Sequence, residues 1–119
     1  DFLLSMKKTV KRIESLLRDP NRCEFIAVCI PEDMAILETE RLVDSLHKYG
    51  VKVKQLVINN VVEPTKNCEF CRERRKSQEE YISQIRKNFG NLRTTIVPLQ
   101  SQEVKGIDTL NNFKEFLFQ

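Results

Sequence analysis

Apolar residues recur along this chain at two spacings, one typical of helices and one typical of buried strands. Near the start they stand three or four positions apart with lysines and arginines between them, which predicts an amphipathic helix over residues 2–18. Residues 24–30 are almost continuously apolar, which predicts a strand buried on both faces, as in a parallel sheet. The remaining pattern predicts further helices over 33–49, 68–89 and 107–118, and further strands over 51–60 and 94–97.

This alternation of helices and strands predicts the fold class. Strands joined through helices form α/β folds, in which the strands are parallel and the crossovers right-handed. The 119 residues suffice for one hydrophobic core, so we expect residues 1–119 to form a single α/β domain. Three parallel strands would leave open sheet edges, which isolated proteins avoid. Together with the absence of Met at position 1, this suggests a part cut from a longer protein.

The apolar positions of each helix also predict which side faces the sheet. The first helix is expected to pack on the sheet, and Gly50 is expected to end the second helix. The inward positions expected in the second helix are Leu42, Val43, Leu46 and Tyr49. Those expected in the last helix are Leu110, Phe113 and Leu117.

The charge pattern indicates an ordinary solvated surface. The 20 Lys and Arg residues are nearly balanced by 17 Asp and Glu, which leaves a net charge of +3. Acidic residues interrupt the basic run at 72–76, so we expect no nucleic-acid partner. No stretch approaches the roughly 20 apolar residues that a membrane-spanning helix needs, so we expect no direct span. Four cysteines in a chain with ordinary helix and strand patterning favour a reducing compartment, so we expect a cytoplasmic protein.

Cys68 and Cys71 form a C-x-x-C pair, the sharpest local signal for chemistry. Two thiolates at this spacing can bind one zinc ion, but a structural zinc site needs four ligands. Cys23 and Cys29 lie at opposite ends of one predicted strand, roughly 20 Å apart at the rise of a strand, so both cannot join the site. A second copy of the chain would supply the missing thiolates across a two-fold axis. The same spacing suits a reversible disulfide, and both interpretations stay open.

The ends of the predicted strands carry residues suited to a nucleotide. Ligands of open α/β sheets bind beyond the carboxyl ends of the strands, where this chain has Pro31-Glu32, Asn59-Asn60 and Pro98-Leu99-Gln100. Asn and Glu are also common cap and turn residues at such ends. A carboxamide offers a donor and an acceptor, which suits an adenine edge, and a carboxylate suits a ribose hydroxyl. The chain has only three glycines and no glycine-rich loop, so nothing in it would cradle phosphates in the P-loop manner.

Several motifs, in order along the chain, resemble those of the ArsA and tail-anchored-protein-targeting ATPase family. Residues 31–42 are similar to the family signature P-E-x-x-x-x-x-E-T-E-R-L. The further matching positions are Val57-Ile58-Asn59-Asn60, Cys68 and Cys71, Arg74, Gln78 and Tyr81, Pro98-Leu99, Glu103-Val104-Lys105-Gly106 and Leu110. The resemblance spans nearly the whole chain. It implies the three-stranded parallel part of a P-loop NTPase sheet, from the C-terminal portion of the family's ATPase domain.

The resemblance also implies roles for individual residues of a homodimeric, ATP-binding ATPase. Glu32 would contact the nucleotide held by the opposite subunit, Asn59 would hold the adenine, and the Pro98 loop would cover it. Cys68 and Cys71 would supply half of a zinc site shared between two subunits. The groups that bind phosphate and Mg²⁺, and the catalytic acid, belong to family segments that precede Asp1. We therefore expect no catalytic residue in this chain, and no ATP hydrolysis by the chain alone.

The family contains two functional types, which imply different partners. The targeting type has tail-anchored membrane proteins as clients and carries the C-x-x-C pair, which favours it here. The other type is the arsenite-pump ATPase subunit, whose partner is a membrane pump. From the residues alone, a stand-alone redox or dimerisation module that uses the cysteine pair is a further alternative.

Overall fold

A computed structural model describes residues 1–118 of the chain, and in it helices and strands alternate. The elements are α1 (Phe2–Arg18), β1 (Phe25–Cys29), α2 (Asp33–Lys48), β2 (Val53–Val61), α3 (Glu69–Asn88), β3 (Arg93–Pro98) and α4 (Ile107–Leu117). The three strands form one sheet in the order β1-β2-β3, and both pairings are parallel. The predicted α/β class with a three-stranded parallel sheet is therefore confirmed.

One hydrophobic core lies between the sheet and the two helices α2 and α3. The strand register places Ala27 beside Leu56 and Cys29 beside Ile58, so these side chains share the core face of the sheet. Ile36 of α2 and Ile85 of α3 are fully buried against them. The buried cluster consists of Ala27, Cys29, Ile36, Val43, Val53, Leu56, Ile58, Val61, Ile82, Ile85, Phe89 and Leu92.

The opposite face of the sheet is largely open in residues 1–118. Ile26 and Val28 alternate with the core residues of β1 and are 47% and 60% exposed. Only the β3 side of this face is covered, where α4 contacts β3 and Val97 is fully buried. The prediction that β1 is buried on both faces is therefore wrong for the described part of the chain. An almost continuous apolar run indicates a need for two covered faces, and only one is covered here.

The prediction that α1 packs on the sheet is also wrong. None of the residues of α1 is buried, and Met6, Val10 and Ile13 are each at least half exposed. Its last turn is held to the rest of the chain by the Arg18 Nε, which donates to the Tyr49 carbonyl at 2.7 Å. The helix is amphipathic as predicted, but its apolar side has no covering element among residues 1–118.

The inward side of α2 is as predicted at Val43 and Leu46 but not at Leu42 and Tyr49. The buried stripe is Ile36, Thr39 and Val43, with Leu46 half-buried, and these follow helical spacing. Leu42 and Tyr49, both predicted to face inward, are 43% and 70% exposed. Gly50 does follow the helix end as expected, with a left-handed φ of +78° that favours glycine.

The inward side of α4 is only partly as predicted, because no residue of this helix is buried. Leu110 is 54% exposed and Leu117 is 36% exposed, whereas Phe113 is half-buried. Phe113 instead contacts Phe116 edge to face, with ring centres 6.1 Å apart. The helix contacts β3, but it does not bury a full apolar stripe.

Candidate functional site

The three predicted nucleotide-binding residues lie at the carboxyl ends of neighbouring parallel strands. Glu32 follows β1 and is the N-cap residue of α2, Asn59 lies near the end of β2, and Pro98 is the last residue of β3. The ends of β2 and β3 are joined, since Val61 is the register partner of Pro98 and its carbonyl accepts from the Leu99 N–H at 2.8 Å. This is the edge of an open parallel sheet at which ligands bind.

Asn59 lies within β2, which runs to Val61 rather than ending at Asn59-Asn60 as expected. Its neighbour Ile58 points into the core, so alternation along the strand places the half-buried Asn59 on the other face of the sheet. That face also carries Val97, next to Pro98. Asn59 and the end of β3 therefore lie on the same face of the sheet, which α4 covers only at β3.

The strand is irregular immediately after Asn59. The β2–β3 register shifts between Ile58 and Val61, and Asn60 has a left-handed φ of +58°. This conformation is uncommon for residues other than glycine, although Asn adopts it more readily than most. The surrounding structure must hold the backbone there.

Two side chains of α3 provide that hold. The Gln78 Oε1 accepts from the Val62 N–H at 2.8 Å, and its Nε2 donates to the Asn60 carbonyl at 3.1 Å. Arg75 adds a weaker contact, from its Nη1 to the Val62 carbonyl at 3.4 Å. This network was not predicted, because residues 72–80 are all polar, which is typical of a solvated face. Gln78 is nevertheless only 6% exposed. Its place among the positions that resemble the family, and its spacing from Ile82 and Ile85 on α3, were the signals that could have found it.

Glu32 faces α3 rather than Asn59. Its Oε1 accepts from the Arg74 Nη2 at 3.5 Å, and both side chains are about half exposed, so the ion pair is weak. The two residues line a cleft of about 280 Å³ between the start of α2 and α3, together with Pro31, Phe70 and Tyr81. Within residues 1–118, neither Asn59 nor Pro98 lines this cleft. The structure thus separates Glu32 from Asn59 and Pro98.

Cys68 and Cys71 are joined by a disulfide, with their Cα atoms 5.2 Å apart. Cys68 is the N-cap residue of α3, and its Sγ accepts from the Cys71 N–H at 3.1 Å. The pair therefore lies at the start of the helix. Both sulfur atoms are close enough to bind one metal ion once the disulfide is reduced, and one chain supplies only these two ligands.

The other two cysteines are separate from this pair. Cys29 is buried in the core, where desolvation raises the pKa of its thiol, partly offset by a hydrogen bond from Thr39. Cys23 is half-buried just before β1. Cys29 is thus buried as a small hydrophobic residue, whereas Cys23 is only partly buried.

The expected metal and membrane partners can be compared with the side chains and helices of residues 1–118. In the part of the chain that the structure describes, no group of three or more His, Cys, Asp or Glu side chains is placed to hold a metal ion. No helix of residues 1–118 is long and apolar enough to cross a membrane.

The model of one protein family, described as anion-transporting ATPase, matches residues 1–119 of this chain. The chain belongs to the anion-transporting ATPase family. The resemblance of residues 31–42 and of the later motifs to ArsA-type ATPases is thereby confirmed.

Curated relatives from this family are similar over nearly the whole chain. ATPase ASNA1 homolog 2 of Paramecium tetraurelia is 40% identical over 115 residues, which cover 97% of this chain and 35% of that protein. The ATPase ASNA1 homolog of Dictyostelium discoideum is 36% identical over 115 residues, with the same coverage. ATPase get3 of Neurospora crassa is 32% identical over 117 residues, covering 97% of this chain and 34% of that protein. The chain thus spans about a third of the length of these relatives.

Proposed function

We propose that this chain forms the adenosine side of the nucleotide site of a dimeric ATPase, of the type that targets tail-anchored membrane proteins. The observation that carries the proposal is the placement of Asn59 beside the end of β3, at the carboxyl edge of a parallel sheet, in a member of an ATPase family. The relatives named above are all called ATPases. The C-x-x-C pair favours the targeting type over the arsenite-pump subunit.

In this proposal Asn59 reads the adenine and the end of β3 covers it. A carboxamide can accept from the adenine amino group and donate to a ring nitrogen. Held in that orientation, its oxygen would face the carbonyl oxygen that guanine carries in place of the amino group, which disfavours guanine. Pro98 and Leu99 offer an apolar surface against which the base can lie, with Leu99 54% exposed. Phosphate binding, Mg²⁺ binding and hydrolysis are assigned to parts of the ATPase outside this chain.

Glu32 contributes to the nucleotide of the opposite subunit. Its carboxylate does not cap α2 and is about half exposed, so only the weak Arg74 contact must be broken for it to turn toward a partner. Closing of the dimer around nucleotide would bring Glu32 to that site.

The experiment compares nucleotide affinities of the whole ATPase with those of the Asn59→Ala variant. Loss of one neutral hydrogen-bonding group is expected to weaken ATP binding roughly tenfold while leaving GTP binding nearly unchanged, so that discrimination between the two falls. Asn112→Ala, an exposed change in α4, is the matched control and should keep both affinities. Equal ATP affinity in Asn59→Ala and the parent would refute the adenine role. The role of Glu32 is tested by measuring ATP turnover of the whole ATPase. Glu32→Ala should lower this turnover, and unchanged turnover would refute the role of Glu32.

Cys68 and Cys71 are proposed to supply half of a zinc site across the dimer interface. Zinc bound by two thiolates from each subunit would complete the four ligands of a structural site and hold the subunits together. A second candidate function, a reversible disulfide, is favoured by the bonded state of the pair in the structure. The two functions use the same thiols in different redox states. A chelator would release thiols that bind zinc, whereas a reductant would release thiols joined in a disulfide.

A further inference from the structure

Gln78 is a buried amide in a stretch of α3 that is otherwise polar and largely exposed. Burying an amide is costly unless its hydrogen bonds are made. Gln78 meets this requirement through backbone groups of the segment that follows Asn59, and it uses both ends of its carboxamide to do so. A helix needs no such residue for its own stability. The hydrogen bonds of this side chain therefore stabilise the β2 backbone rather than α3.

The backbone that Gln78 holds is the part of β2 that departs from regular pairing. Asn60 is left-handed, and the β3 partner of β2 shifts there. Gln78 forms hydrogen bonds with the residues on each side of Val61, since it accepts from the Val62 N–H and donates to the Asn60 carbonyl. From the other side, the Leu99 N–H donates to the Val61 carbonyl. The segment between Asn60 and Val62 is thus fixed from both α3 and β3.

Gln78 does not contact the side of the sheet on which Asn59 lies. It belongs to α3, which packs on the core face, whereas Asn59 points to the opposite face. Any influence on a base bound near Asn59 must therefore pass through the peptide backbone. Because Asn60 is the next residue, its left-handed conformation fixes the path of the backbone immediately after Asn59.

We propose that Gln78 is a positioning residue for adenine recognition, which holds the irregular end of β2 so that the Asn59 carboxamide meets the base edge. This inference rests on the proposed function of Asn59. The amide is needed as such, because one end must accept and the other must donate. A carboxylate keeps the acceptor for Val62 but places a second oxygen against the Asn60 carbonyl. A thioether of similar length keeps neither bond.

The test measures ATP and GTP affinities of the whole ATPase carrying Gln78→Met, Gln78→Glu or Gln84→Met. Gln84 is exposed on the same helix and is the matched control. Gln78→Met is expected to reduce the preference for ATP over GTP about tenfold, as Asn59→Ala does, while Gln84→Met leaves it unchanged. Gln78→Glu should lie between Gln78→Met and the parent. The double variant Asn59→Ala, Gln78→Met should lose no further preference, because both changes act on the same contact.

A purely structural role of Gln78 gives a different result. In that case the Gln78→Met change would lower the melting temperature and weaken the binding of ATP and GTP by the same factor. An unchanged ratio of ATP to GTP affinity in folded Gln78→Met would overturn the inference and leave the role of Asn59 intact. If Gln78→Met does not fold, Gln78→Glu decides the matter by the same ratio. If Asn59→Ala itself leaves the ratio unchanged, the proposed function fails and this inference fails with it.

Discussion

At the scale of single residues, the chemistry of this chain depends on polar groups whose partners come from distant parts of the sequence. Gln78 meets Asn60 and Val62 across 16 to 18 positions, and Arg74 meets Glu32 across 42. Such pairings become apparent only when it is known which side of α3 faces the sheet. The strand-end positions of Glu32, Asn59 and Pro98 were predictable, because the ends of parallel strands share one edge. The hydrogen bonds by which Gln78 holds the backbone next to Asn59 were not predictable.

The state of the cysteine pair is a prediction at this scale. If Cys68 and Cys71 bind zinc in the purified protein, a chelator should release two additional reactive thiols per chain, whereas a disulfide should yield them only to a phosphine reductant. Cys29 should stay unreactive until unfolding, because burial raises the pKa of its thiol and the thiolate is the reactive form. The measurement is thiol titration followed in parallel with zinc content.

The control for this titration is the double variant Cys68→Ser, Cys71→Ser. It should contain no zinc and release no thiol with either reagent, while Cys23 still reacts. Thiols released by the chelator in this variant would place the metal elsewhere. Release by the reductant alone in the parent protein would contradict the shared zinc site and favour the redox function.

At the scale of elements, helix and strand boundaries followed from periodicity to within a few residues, but the buried side of α2 did not. Apolar residues at Leu42, Val43, Leu46 and Tyr49 defined the predicted stripe, although the stripe passes through the polar Thr39. Thr39 tolerates burial because its hydroxyl donates to the Ala35 carbonyl at 2.7 Å. Hydrophobicity alone therefore placed Val43 and Leu46 correctly, but it also predicted Leu42 and Tyr49 to face inward.

The corrected face of α2 predicts unequal effects of two similar truncations. Ile36→Ala removes a fully buried side chain and should lower the free energy of unfolding by about 2–5 kcal/mol. Leu42→Ala removes one that is 43% exposed and should cost less than about 1 kcal/mol. Chemical denaturation of both variants measures the difference. Equal losses would mean that Leu42 lies in the core and that the predicted stripe was right.

At the scale of the whole molecule, the chain leaves two apolar surfaces uncovered. The radius of gyration of 18.2 Å exceeds the roughly 13 Å expected of a compact domain of this size, because α1 extends away from the sheet. The open face beside Ile26 and Val28 and the apolar side of α1 were both predicted to be buried. The sequence encodes these surfaces as core. Residues 1–118 contain no further element to cover them, and the relatives are about three times as long.

The central claim is that the ends of β2 and β3 form the adenine wall of an ATP site. An ATP analogue with a photoreactive azide on the adenine ring tests it most directly, when bound to the whole ATPase and mapped after trypsin digestion. The account predicts label in the peptides spanning residues 55–66 and 94–105, which contain Asn59 and Pro98, and loss of that label with excess ATP. Label confined to other peptides, with these two unmodified, would contradict the account.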